Sequence, residues 1–132
     1  MLSDENYHYQ LPPHAQGKLV RVVQGKVFDV AVDIRKSSST YGKFESFILS
    51  EENSLQLWVP PGFAHGFLAI SESVEFLYKC TNYWDKSDEK CISYNDHHLN
   101  IPWPHQPQII HDRDRAWPLF ADLKSEERPT YA

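Results

Sequence analysis

Apolar and polar residues alternate along most of this chain, in runs too short for long helices. KLVRVVQ at 18–24 and KVFDVAVDI at 26–34 read as strands that meet near Gly25. KFESFILS at 43–50 and SLQLWV at 54–59 follow, and Pro60-Pro61-Gly62 ends the latter. GFLAIS at 66–71 and VEFLYKCTNY at 74–83 are separated by Glu72 and Ser73, which predicts a hairpin. CISY at 91–94 is a further short strand. NIPWPHQPQ then carries too much proline for either regular element. ADLKSEE reads as a helical turn or two. This pattern predicts one all-β domain over residues 1–132, a sandwich or barrel, with an irregular Pro-rich segment over 100–132.

Alternation also sorts the polar residues, because successive side chains on a strand point to opposite faces. Tyr78 shares a face with Val74, Phe76 and Cys80, and Lys18 shares one with Val20 and Val22. Asp29 sits with the small Val27 and Ala31, opposite Phe28, Val30 and Val32. An ammonium and a carboxylate on apolar faces must pair or meet a ligand. Two readings stay open: a structural Lys18–Asp29 ion pair inside the barrel, or a pocket lined by both. PPGFAHGFLAI places His65 on a Pro/Gly-rich turn, where it either caps backbone groups or enters the same pocket. In YHYQ, His8 shares a face with Gln10, with the tyrosines on the other. His14, in LPPHAQG, is expected to be solvated. His97, His98, His105 and His111 carry no usable pattern.

Bulk properties narrow the classes. The chain has 132 residues, 41% hydrophobic and 23% charged, enough for a single buried core. A net charge of -5 argues against a nucleic-acid groove or an anionic membrane surface as partner. No apolar run approaches the ~20 residues of a membrane span. The polar start, MLSDENYHYQ, does not read as a secretory signal, so a cytoplasmic protein with reduced Cys80 and Cys91 is expected. There is no G-x-S-x-G elbow and no Gly-rich phosphate loop. PPGFAH fits the P-x-G-x-x-H turn of the second cupin motif, but the H-x-H that metal-binding cupins carry in their first motif is missing. The expected metal is therefore none.

QGKLVR, DVAVDIR, PPGFAHGF and EFLYK, in this order, closely resemble the dTDP-4-dehydrorhamnose 3,5-epimerase family. The likeness runs from about Tyr7 to Leu119 and takes in NDHHLNIPWP. It implies a cupin-type jelly roll, usually a homodimer, with no metal and no cofactor. The implied reaction inverts C3 and C5 of dTDP-4-dehydro-6-deoxyglucose to give dTDP-4-dehydro-L-rhamnose, on the route to activated L-rhamnose. By resemblance His8 takes the place of the catalytic base, Asp114 of the carboxylate that orients it, and Tyr78 of the acid. Lys18 and His65 match residues near the sugar, Asp29 a pocket carboxylate beside Lys18, and Tyr83 an aromatic at the nucleotide end.

The family pattern has a longer N-terminal portion that completes the sheet and reaches into a partner subunit. Glu5 stands where the family carries an arginine of the diphosphate site. A carboxylate there inverts a charge-assisted contact. Besides the epimerase, two readings therefore remain. One is an impaired paralogue that binds a sugar nucleotide or pairs with a full-length relative. The other is a metal cupin of different function.

Overall fold

The computed structural model of the chain describes residues 4–93, 96–104 and 118–129. Its strands are β1 (Asp4–Gln10), β2 (Lys18–Gln24), β3 (Lys26–Asp33), β4 (Phe44–Ser50), β5 (Gln56–Val59), β6 (Phe63–Ala69), β7 (Glu75–Cys80) and β8 (Glu89–Ile92). They form two antiparallel sheets, one ordered β4-β3-β6-β1-β8 and the other β5-β2-β7. This is the all-β sandwich that the alternation predicts, in the jelly-roll form that the resemblance implies. ADLKSEE supplies short 3-10 turns at Phe120–Asp122 and Ser125–Glu127.

The expected hairpin at Glu72-Ser73 does not form. β6 lies in the five-stranded sheet and β7 in the three-stranded one, so the chain changes sheets there. A second crossing lies beside it at Gly25, between β2 and β3. Ser71 Oγ accepts the Lys26 N–H at 2.8 Å and ties the two corners together. Gly25 has φ +88°, and a Cβ there would sit 2.3 Å from the Ser73 carbonyl oxygen. Only glycine meets both conditions without strain.

The large sheet buries both of its faces, for different reasons. Phe28, Val30 and Val32 pack with Tyr7, Tyr9, Leu68 and Ile92 on its outer side. The C-terminal segment covers them through Leu99, Trp103, Phe120 and Leu123. Tyr7 stacks on Trp103 at 5.8 Å, and Tyr9 donates its hydroxyl to the Glu127 carbonyl at 2.8 Å. Burying each such side chain stabilises the fold by ~1.5–3 kcal/mol. On the inner side Val27 and Leu49 meet Val20 and Val22 of the small sheet, with Phe67 and Phe76 against them. This inner core fills one part of the sandwich, and a cavity opens in the remainder.

β1 shows how tertiary context overrides local pattern. DENYHYQ is too polar to mark itself as a strand. It becomes one because it slots between β6 and β8 and buries Tyr7 and Tyr9, 1% and 4% exposed. His65 also differs from expectation: it lies within β6 and not on the preceding turn. The turn is Pro60-Pro61-Gly62, where Gly62 has φ +91° and the chain enters β6 at the next residue.

Candidate active site

Three strands bring the chemistry together by register. His8 on β1 lies directly across from His65 on β6 and from Cys91 on β8. On the far side of β6, His65 faces Ala31 and Phe67 faces Asp29, which puts Asp29 diagonal to His65 on the same face. In the small sheet, Lys18, Val20 and Val22 oppose Cys80, Tyr78 and Phe76 in turn.

These two inner faces bound a cavity of about 700 Å³, within the usual range of small-molecule sites. His8, Gln10, His65, Phe67 and Glu89 line it from the large sheet, and Lys18, Phe76, Tyr78 and Cys80 from the small one. His8 and Tyr78 thus share one cavity. A ladder of rings crosses it: His65 stacks on Phe76 with centroids 6.4 Å apart, and Phe76 meets Tyr78 at 6.1 Å. Lys18 is the one lysine or arginine among the described lining residues.

Asp29 is fully buried, 0% exposed, and His65 is 6% exposed. His65 Nε2 lies 2.9 Å from both Asp29 carboxylate oxygens. A carboxylate only accepts, so Nε2 carries the proton and Nδ1 is left for other partners. The sequence leaves Asp29 either paired with Lys18 inside the barrel or in the pocket wall beside it. It sits instead behind His65 and does not line the cavity. Alternation shows which face a side chain takes but not the register between strands that chooses its partner.

The rim comes from two loops stitched together by side chains. Gly17 N–H donates to Thr81 Oγ1 at 2.9 Å, and Asn82 Nδ2 donates to the Pro13 carbonyl at 3.0 Å. These local bonds stop β7 at Cys80, three residues earlier than alternation predicts. Gln10, 6% exposed, holds the rim from below. Its Nε2 donates to the Tyr83 carbonyl at 3.1 Å, and its Oε1 accepts from Asp85 N–H at 2.8 Å. The Tyr83 ring projects at 87% exposure beside Trp84. His14 is not simply solvated: its Nδ1 pairs with Asp88 Oδ2 at 2.7 Å.

Sequence reasoning placed Gln10 on the face of His8 but missed Glu89 and Cys91 as its neighbours. His8 Nδ1 lies 2.8 Å from Cys91 Sγ and 3.4 Å from Glu89 Oε1. Nothing local in CISY or SDEK signals this, because it depends on the β1–β8 register. Among the described residues two groups offer three metal-type donors each: His8, Glu89 and Cys91, and His14, Asp85 and Asp88. Cys80 and Cys91 are not disulfide-bonded. Asp114 lies outside the described residues.

A family model for dTDP-4-dehydrorhamnose 3,5-epimerase matches residues 6–122. The chain belongs to the dTDP-4-dehydrorhamnose 3,5-epimerase family. It is 54% identical over 115 residues to the enzyme of that name from Shigella flexneri, covering 87% of this chain and 64% of the relative. It is 51% identical over 116 residues to the Pseudomonas aeruginosa counterpart, with 87% and 64% covered. Among solved structures it is similar to dTDP-6-deoxy-D-glucose-3,5-epimerase from Legionella pneumophila Philadelphia 1, in complex with dTDP-4-keto-L-rhamnose. There the TM-score is 0.90 at 45% identity, covering 96% of this chain and 68% of that one. The epimerase-family chain described here therefore spans about two thirds of the length of these relatives, and its jelly roll is the family's cupin-type fold.

Proposed function

We propose that this chain inverts C3 and C5 of dTDP-4-dehydro-6-deoxyglucose, giving dTDP-4-dehydro-L-rhamnose for dTDP-L-rhamnose synthesis. The observation that carries this is a histidine and a tyrosine presented by opposite sheets into one cavity, in a member of this epimerase family. The C4 ketone acidifies the protons on C3 and C5. His8 takes one of them, and the electron pair moves onto the C4 oxygen as an enolate. Tyr78 delivers a proton to the opposite face of the carbon, and the ketone reforms. Each such acid–base step contributes about 10²–10⁴-fold.

Lys18 and His65 supply cationic and N–H stabilisation to the enolate oxygen. Asp29 holds His65 through Nε2–H, so that His65 donates to the enolate from Nδ1–H as an imidazolium, and Asp114 orients His8. Tyr83 flanks the nucleotide end. The reaction uses no metal or cofactor, and the working form is a cytoplasmic homodimer. No described helix is long and apolar enough to cross a membrane.

The test is incubation with dTDP-4-dehydro-6-deoxyglucose in D₂O, followed by mass spectrometry. Deuterium is expected at C3 and C5, with the rate reduced at least ~10²-fold in His8→Asn. Exchange in His8→Asn equal to wild type would remove His8 from the chemistry. A thermal shift with the substrate but no exchange in wild type would identify a binding-only protein.

A further inference from the structure

His8, Glu89 and Cys91 form a cluster that the epimerisation does not need in full. Paired strands fix all three. Cys91 is the cross-strand partner of His8, and Glu89 is the partner of Gln10, two residues along on the same face. Their donor atoms lie within 4.8 Å of one another. Cys91 is buried at 1% exposure, while His8 and Glu89 reach the cavity.

We propose that these three side chains bind a borderline divalent cation, Zn²⁺ above all, at the cavity wall. Imidazole nitrogen, thiolate sulfur and carboxylate oxygen are the donors that zinc takes, and three protein ligands leave a fourth position for water. Around a tetrahedral ion with bonds of ~2.0–2.3 Å, donor atoms stand roughly 3.3–3.6 Å apart. The His8–Glu89 separation of 3.4 Å already matches. The Cys91 sulfur, now 2.8 Å from Nδ1, has to withdraw by less than about 1 Å. On binding, the thiol proton leaves to solvent and the sulfur lone pair fills the metal bond.

Occupancy also has a functional consequence, which rests on the role proposed for His8. An imidazole bound to a metal through Nδ1 carries its proton on Nε2. Neither nitrogen then has a lone pair with which to take a proton from carbon. The site therefore acts as a reversible off-switch and not as a cofactor site.

The experiment titrates the metal-free 132-residue chain with Cd²⁺, read by the ultraviolet charge-transfer band of a cadmium–thiolate bond, and with Zn²⁺ by calorimetry. One equivalent is expected, with the band present in wild type and in Cys80→Ser. Cys91→Ser removes the band, and Glu89→Gln weakens binding by an order of magnitude or more. Circular dichroism checks the fold of each variant, and Glu89→Gln carries the test if Cys91→Ser does not fold. No band in wild type, or a band lost in Cys80→Ser and kept in Cys91→Ser, overturns the site. So does calorimetric binding lost in Asp88→Asn and kept in Glu89→Gln, which assigns the metal to the His14 cluster. Zn²⁺ is further expected to stop deuterium exchange and a chelator to restore it. Exchange that continues with one equivalent bound would overturn the off-switch. Absence of exchange in the metal-free protein would instead count against the proposed function, and the binding result would stand on its own.

Discussion

Asp29 and Asp33 lie on the same strand and, by alternation, on the same face. Both are buried, at 0% and 1% exposure, yet they are satisfied in different ways. Asp29 is held by the imidazole of His65 beside the cavity. Asp33 receives two bonds from the Arg35 guanidinium at 2.9 Å, with further bonds from Ser38 and Thr40. Arg35 in turn lies over the Phe63 ring, 4.7 Å from its centroid. A Cβ on Gly62 would meet Arg35 Cγ at 2.6 Å. Asp33 thus anchors the turn that starts β6, and Asp29 anchors the histidine that β6 carries. A buried carboxylate is not itself a sign of function. Its partner decides, and a partner that titrates and faces a cavity gives the functional case.

The sharpest way to break this contrast is to remove the Asp29 charge while keeping its shape. Asp29→Asn should lower kcat about 10²-fold, with KM changed only a few-fold. Stability should fall by less than about 1.5 kcal/mol, because the amide still accepts from Nε2. Steady-state kinetics with a denaturant melt reads both quantities. A large loss of stability with kcat intact would make Asp29 a second Asp33.

Next in size is Asp33→Ala, expected to cost about 2 kcal/mol of stability while leaving kcat per folded molecule near wild type. Its pH dependence sharpens the contrast. Burial pushes the Asp33 carboxyl up, but bonds from Arg35, Ser38 and Thr40 pull it further down, and the net result lies well below the usual carboxylate range. The folded-state value is below the unfolded one, so the native state favours the ionised form. The contribution is complete above the unfolded value of about 4 and drains away as pH falls below it. Urea midpoints measured downward from pH 5 should fall less steeply in Asp33→Ala than in wild type. Parallel curves would show that Asp33 carries no linked stability.

The face of each strand was legible in the sequence, and its neighbour was not. Val20, Tyr78 and Lys18 point inward as alternation requires, because that pattern is set by burial along a single strand. Which strand lies beside which is set by pairing across the chain. His65 was therefore expected beside Lys18 and Asp29 without the His65–Asp29 bond, and Cys91 was not expected beside His8. Glu72-Ser73 looks like a hairpin turn because a sheet-crossing corner uses the same small polar residues. His65 reads as part of the Pro/Gly-rich turn, whereas it lies inside β6 opposite Ala31. Much of the site reading came from motif order, which stands in for the register that local physics leaves open.

The smallest expected effect concerns two tyrosines that are both exposed and both border the cavity. Tyr78 is 57% exposed on a strand, and Tyr83 is 87% exposed on the rim. If Tyr78 delivers a proton, its hydroxyl is the working part, and Tyr78→Phe lowers kcat. Tyr83 differs because its backbone is pinned by Gln10 while its ring projects outward. A ring held this way offers a stacking surface at low entropic cost. Tyr83→Ala should therefore raise KM about fivefold, equivalent to about 1 kcal/mol, and leave kcat unchanged. Tyr83→Phe should be close to silent, since stacking needs the ring and not the hydroxyl. A Tyr83→Phe variant as weak as Tyr83→Ala would show that the hydroxyl bonds the substrate directly, and the rim tyrosine would then work in the same polar way as the one inside.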